Sequence, residues 1–81
     1  MPKRPTVIRG VIIPAGWDEE GNVIAVAISA QDEIEYRVEM AAKGQELMRL
    51  VNKEVKVSGE VTQKENGKSI TVSNYNLMGR R

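Results

Sequence analysis

The sequence predicts a mainly β fold, namely a five-stranded antiparallel barrel with one short helix between its third and fourth strands. Three observations lead to this prediction. Apolar residues recur at every second position along most of the chain, which is typical of strands with one buried face. One segment has helical apolar spacing instead, and an Asn-Gly pair marks a tight turn. A chain of 81 residues has room for a single domain, spanning 1–81.

The first three strands are predicted in the N-terminal half of the chain. The first runs from about Thr6 to Ile13 and is stopped by the Pro-Ala-Gly segment 14–16. The second and third strands alternate, so one set of side chains should enter the core and the other should form an outer face. The inward set is Ile24, Val26 and Ile28, followed by Ile34, Tyr36, Val38 and Met40. The outward set is Ala25, Ala27 and Ser29, followed by Glu33, Glu35, Arg37 and Glu39.

The helix and the last two strands are predicted in the C-terminal half. Leu47, Leu50 and Val51 lie at positions i, i+3 and i+4, which predicts a short helix of two to three turns at most. Asn52 suits the left-handed position that ends such a helix. The alternating run 54–62 and the β-branched run that begins near Ser69 are then joined by a hairpin turn at Asn66-Gly67.

Other turn-forming residues agree with this order of elements. Residues 20–22 close a longer loop after the first strand, and Gln31-Asp32 turns the second strand into the third. Gly10 and Gly59 lie inside predicted strands, where a β-bulge or a tight bend would explain them.

The three aromatic residues, without any Phe, imply an aliphatic core. Tyr36 has the inward register, so we expect it in the core with its hydroxyl at an edge of the barrel. Tyr75 is expected to pack under the helix. Trp17 follows the first strand, and two interpretations remain open: it caps one end of the barrel, or it is exposed and stacks on a ligand.

The order of elements and several segments resemble the OB-fold, a small Greek-key barrel. Residues 53–61 contain a V-x-V-x-G-x-V pattern similar to the fourth strand of OB-fold proteins, and residues 69–75 resemble the fifth. Residues 44–47 are similar to the start of the helix, and 9–11 to a glycine-bent first strand. The resemblance covers nearly the whole chain and implies packing rather than chemistry. An SH3-like barrel is the alternative. That fold normally has only a 3₁₀ turn between its last two strands and no helix at the position predicted here.

Composition argues against catalysis. Cysteine and histidine are both absent, which excludes disulfides, zinc sites with the usual ligands, thiol nucleophiles and histidine acid–base chemistry. The acidic cluster 18–20 lacks the ligand spacing of a calcium loop, and no phosphate-binding loop or nucleophile motif is present. We therefore expect a protein that is not an enzyme and that needs no cofactor or metal.

The net charge of +1 hides a segregation of charge. Basic residues concentrate in the short tails 1–5 and 79–81, whereas the body between them carries eight basic against eleven acidic residues.

The sequence has no run of 18 apolar residues and no apolar signal region. We expect a soluble cytoplasmic protein without a membrane partner.

The resemblance implies binding of oligonucleotides, through the outer face of strands two and three and the loops after strands one and four. The leading hypothesis is therefore a binding module for single-stranded DNA or RNA that uses the loop rim and the basic ends. Its candidate residues are Trp17, Lys64, Lys68, Arg9, Arg80 and Arg81. The predicted outer face opposes this hypothesis, because it has no aromatic residue and its third strand places three carboxylates against one guanidinium.

A protein-interaction or self-associating module without nucleic-acid activity is the alternative hypothesis. Small residues on the second strand would let another surface approach closely, and the acidic third strand would select a basic partner. The candidate residues for this function are Ala25, Ala27, Glu33, Glu35 and Arg37.

Overall fold

The computed structural model describes residues 5–40, 42–65 and 67–78. It contains the predicted succession of three strands, a helix and two strands. The strands are β1 (Thr6–Trp17), β2 (Val23–Ala30), β3 (Glu35–Val38), β4 (Glu54–Lys64) and β5 (Gly67–Leu77), and a 3₁₀ helix spans Ala42–Leu50. The basic ends 1–4 and 79–81, with Arg80 and Arg81, lie outside the described residues, as does Asn66 of the predicted turn. No helix in the described ranges is long and apolar enough to cross a membrane.

The strands close into a barrel in the order β1-β2-β3-β5-β4, with β4 pairing back onto β1. This confirms a mainly β, five-stranded barrel with one helix between the third and fourth strands. The prediction that every pair is antiparallel is wrong for β3 and β5, which run parallel through Arg37 and Ser69. The helix and β4 form the crossover that a parallel pair requires. The architecture is consistent with an OB-like barrel, and the helix position disfavours the SH3-like alternative.

The barrel interior is aliphatic, as the composition predicted. Its buried cluster consists of Ile8, Ile12, Val26, Ile28, Tyr36, Val38, Leu47, Val55, Val57, Ile70 and Val72. The inward prediction for Ile24 is wrong, because its side chain is 51% exposed. β3 pairs with only residues 27–29 of β2, so Ile24 lies on a stretch of β2 that extends past β3. Met40 was also predicted to point inward along the third strand. β3 ends at Val38, however, and Met40 lies beyond the strand and is only half-buried.

β1 is longer than the sequence suggested. Pro14 does not end the strand at Ile13, since pairing with β2 continues to Trp17. The register shifts between Pro14 and Gly16 and again before Trp17. Such irregularities accommodate a proline within a paired strand. The result is a β1–β2 hairpin that projects past β3 and carries Trp17 at its tip.

Gly10 and Gly59 are explained by close backbone contacts. A Cβ atom at Gly10 would collide with the carbonyl oxygen of Ser29, and one at Gly59 would collide with that of Thr71. The β4–β5 register also shifts between Ser58 and Gly59, where Ser73 of β5 has no partner on β4. Both positions require the absence of a side chain so that neighbouring strands can approach.

The helix closes the barrel through one apolar face. Leu47 is fully buried, and Leu50 and Val51 pack against the core, as their spacing predicted. Asn52 has a φ of 73°, which confirms the left-handed position after the helix. The Tyr75 hydroxyl donates a hydrogen bond of 2.6 Å to Oε1 of Glu46 on the helix.

Candidate nucleic-acid interface

Trp17 lies at the tip of the β1–β2 hairpin with its side chain directed away from the core. It is 56% exposed and does not belong to the buried cluster. The interpretation that Trp17 caps the barrel is therefore wrong. The exposed side chain of Ile24 lies at the same tip, and we call Trp17 and Ile24 together the hairpin tip. The tip presents two large apolar side chains to solvent.

The loop after Trp17 is held by hydrogen bonds to one carboxylate. Oδ1 of Asp18 accepts hydrogen bonds of 2.9 Å from the backbone N–H groups of Glu20 and Asn22. The Asp18 N–H donates to the Asn22 carbonyl at 2.9 Å, and Gly21 provides the required positive φ of 90°. These bonds, the one from the Asn22 backbone first, lower the pKa of Asp18. The loop thus fixes the direction of the strand end that carries Trp17.

A second feature is a depression of about 320 Å³ on the β3 and β5 side of the barrel. It is lined by Arg37, Glu39, Lys64, Gly67, Lys68 and Ser69, and we call this set the basic depression. The parallel pairing of β3 with β5 places Arg37 beside Ser69. The tight β4–β5 hairpin places Lys64 opposite Gly67. Residues from three strands therefore bring three cationic side chains together among the described residues.

One carboxylate partly neutralises the basic depression. Lys64 Nζ donates a hydrogen bond of 2.8 Å to Oε2 of Glu39. This contact is the main reason that the pKa of Glu39 lies below its ordinary value. Ser69 lies in the same depression and is only 2% exposed. Its hydroxyl lies near Glu39 and helps to lower the pKa of that carboxyl, although no well-formed hydrogen bond joins the two groups.

The structure brings some predicted nucleic-acid residues together and separates others. Lys64 and Lys68 share the basic depression, but Trp17 is not among its lining residues. Arg9 lies on the β1–β4 side, where its Nε is 3.3 Å from Oε2 of Glu54. It does not line the depression either.

The predicted protein-interaction surface differs from the structure at three residues. Ala27 is only 5% exposed, so the expectation that it lies on an accessible face is wrong. Its small side chain lies between those of its cross-strand neighbours Ile13 and Arg37. Glu33 belongs to the turn before β3, with a φ of 70°, and not to the outer face of that strand. Arg37 joins the basic depression, while Ala25 is half-buried and Glu35 remains exposed on β3.

Glu39, Ser69 and Ile24 are the residues whose place at these surfaces the sequence did not reveal. Ser69 begins the run of the fifth strand, and only the pairing of three strands shows that neighbours cover it. Ile24 had the inward register, and only the short length of β3 shows that it is uncovered.

No family model, curated protein or solved structure matches this chain. The protein is thus a small closed five-stranded barrel, consistent with an OB-like barrel, with a basic depression on one side and an exposed aromatic hairpin tip.

Proposed function

We propose that this protein is a non-catalytic OB-like module that binds single-stranded DNA or RNA. The observation that carries the proposal is the convergence of Arg37, Lys64 and Lys68 in one depression. This depression joins β3 to the β4–β5 hairpin, and those elements form part of the surface that OB-folds use for oligonucleotides. Cationic side chains in such a groove hold the phosphates of the backbone, which supply most of the affinity.

The hairpin tip adds a stacking surface at a separate point. Trp17 is paired with Val23, and Arg37 is paired with Ala27, four residues further along β2. At about 3.3 Å per residue this separates the two positions by about 13 Å along the strand. One OB-fold covers about 4–16 nucleotides, so a single strand can reach both the indole and the basic depression. Binding would then follow a path across the barrel instead of a single point on the loop rim.

The surrounding carboxylates predict modest affinity. Glu39 already bonds Lys64, and Glu19 and Glu20 follow the indole in the loop. Each carboxylate repels a phosphate, so the binding should be weak at moderate salt and strongest at low salt.

The proposal is tested by titrating the protein with single-stranded oligonucleotides of about 12 nucleotides, a length within the range that one OB-fold covers. Trp17 is the only tryptophan, so its fluorescence reports directly on the hairpin tip. We expect quenching by single-stranded DNA or RNA at low salt, with weaker quenching by a duplex of the same sequence. Absence of any binding at low salt would reject the proposal.

One observation favours a protein-interaction module as the second candidate. Residues 23–26 of β2 pair only with β1 among the described strands, and the exposed side chain of Ile24 lies within this stretch. A strand edge beside apolar side chains is a surface on which another chain can add a strand.

Self-association through this edge should be reduced by Ile24→Lys or Ala25→Lys, as measured by sedimentation. A wild type that stays monomeric at high concentration would exclude self-association.

A further inference from the structure

The basic depression contains a buried hydroxyl without a hydrogen-bond partner. Ser69 Oγ is inaccessible to solvent, and no group in the described ranges bonds to it. Buried polar groups in folded proteins are nearly always hydrogen-bonded, so such an atom at a surface depression indicates a ligand that completes it.

The position of Ser69 explains why the protein itself leaves this hydroxyl unsatisfied. Ser69 on β5 pairs with Arg37 on β3 and with Thr62 on β4. It thus lies between the strand of Arg37 and the strand that ends at Lys64. Glu39 accepts a hydrogen bond from Lys64 through Oε2 at 2.8 Å, and Ser69 lies close enough to lower the pKa of this carboxyl without a well-formed hydrogen bond to it.

We propose that the basic depression binds one phosphate group, which replaces the Glu39 carboxylate on Lys64 and accepts a hydrogen bond from the Ser69 hydroxyl. Arg37 and Lys68 line the same depression and balance the remaining negative charge. The inference rests on the proposed function in so far as the phosphate belongs to a nucleic-acid strand. A free phosphate carries the same chemical group, and the experiment below separates the two sources.

A phosphate suits this depression better than a carboxylate does. It presents more acceptor oxygens, arranged tetrahedrally, so it can bond an ammonium group and a hydroxyl on different strands at once. Glu39 then acts as an internal competitor, which occupies Lys64 until a phosphate displaces it. The displaced carboxylate, close to the bound phosphate, would lower the affinity.

Glu39→Gln tests this inference because it removes the competing charge and keeps the size of the side chain. Glu35→Gln is the matched control, since Glu35 is exposed on β3, which ends just before Glu39, and does not line the depression. Both changes raise affinity for an anion through general electrostatics. We expect Glu39→Gln to raise the affinity for a single-stranded oligonucleotide about twofold to fivefold more than the control does, the range set by one ion pair.

Ser69→Ala provides the second arm. It removes a buried hydroxyl and leaves no other group unsatisfied, so the melting temperature should stay the same or rise, while the affinity gain from Glu39→Gln should shrink in the double variant. Inorganic phosphate is the second probe, followed by the Ser69 amide shift in NMR spectra. A shift at Ser69 with phosphate alone assigns the site to any phosphate group, and a shift only with the oligonucleotide assigns it to the nucleic-acid backbone.

The outcomes separate this inference from the proposed function. Equal gains from Glu39→Gln and Glu35→Gln, together with unchanged binding in Ser69→Ala, would overturn the phosphate site and leave nucleic-acid binding in place. Failure of the wild type and of Glu39→Gln to bind either probe at low salt would overturn both.

Discussion

Trp17 carries its indole outside the core, and this has a direct consequence for stability. The residue is 56% exposed and keeps less than half of its surface buried, so Trp17→Ala should lower the free energy of unfolding by only about 1 kcal/mol. A tryptophan that capped the barrel would cost about 3–5 kcal/mol on the same substitution. Urea denaturation followed by circular dichroism measures the difference without a tryptophan signal. A loss of several kcal/mol would contradict the exposed position.

The same residue should matter for binding. Base stacking on an aromatic side chain is worth about 1–3 kcal/mol per base, so Trp17→Ala should weaken oligonucleotide binding by that amount. The measurement is fluorescence anisotropy of a labelled oligonucleotide, with Tyr75→Phe as a control, because Tyr75 faces the helix through Glu46. Equal affinities of wild type and Trp17→Ala would remove the hairpin tip from the binding path.

Asp18 makes the order of the hairpin loop dependent on pH. Its pKa is lowered in the folded protein because its carboxylate accepts hydrogen bonds, the one from Asn22 first. The Asp18 carboxylate therefore stabilises the loop fully when the pH is above 3.8, the ordinary pKa of the group. This stabilisation is lost as the pH falls through the lower pKa of Asp18 in the folded protein. Amide exchange at Asn22 should accelerate over that acidic interval. In Asp18→Asn the rate should lose this titration, and an unaltered acid profile in that variant would contradict the assignment.

At the scale of elements, the glycine in β4 sets how closely β5 can approach. A Cβ atom at Gly59 would collide with the Thr71 carbonyl oxygen, which belongs to the backbone and cannot move aside. Gly59→Ala should therefore destabilise the barrel by about 1–3 kcal/mol, as overpacking does elsewhere. Gly16→Ala is the matched control, since its new Cβ would lie 3.4 Å from the Ala25 Cβ in ordinary contact. Thermal unfolding that ranks the two variants equally would contradict this account.

Local patterns were sufficient to predict most elements but not their neighbours. Alternation identified the buried residues Val26 and Val38, and the spacing around Leu47 located the helix, because these signals come from residues close in sequence. Alternation says which residues share a face and not what covers that face. That is why Ala27 and Ile24 were assigned to the wrong environments.

The candidate site was predictable only in part, for the same physical reason. The cationic character of Lys64 and Lys68 and their place beside a tight turn followed from the sequence. The depression itself depends on the parallel pairing of β3 with β5, which brings Arg37 beside Ser69. Pairing between strands about thirty residues apart has no local signature, so neither the cluster nor the buried hydroxyl was visible beforehand.

For the whole molecule, the approach of a polyanion depends more on where the charges lie than on the net charge of +1. The β3–β5 side has three cationic side chains in its depression, while the loop at the hairpin tip carries the acidic cluster 18–20. A polyanion should therefore approach through the basic depression first and reach Trp17 afterwards. The order of contacts follows from the opposite signs at the two ends of the path.

This charge distribution predicts which substitutions change the salt dependence of binding. Each phosphate contact on a single strand contributes about 0.7 to the slope of log affinity against log salt concentration. Lys68→Ala and Lys64→Ala should therefore each lower the slope by about 0.7, since both residues line the basic depression. Trp17→Ala should weaken binding and leave the slope intact, because stacking releases no counterions.

Arg9→Ala is the control that separates a defined site from diffuse attraction. It removes the same charge as the lysine variants, but Arg9 is paired with Glu54 and lies outside the basic depression. If phosphates bind only in the depression, Arg9→Ala should leave the slope unchanged and alter the affinity little. A localised phosphate contact is lost only when the cation that makes it is removed. An equal reduction of the slope by Arg9→Ala and Lys68→Ala would therefore show that the oligonucleotide is attracted by the overall charge of the barrel and not by a defined site.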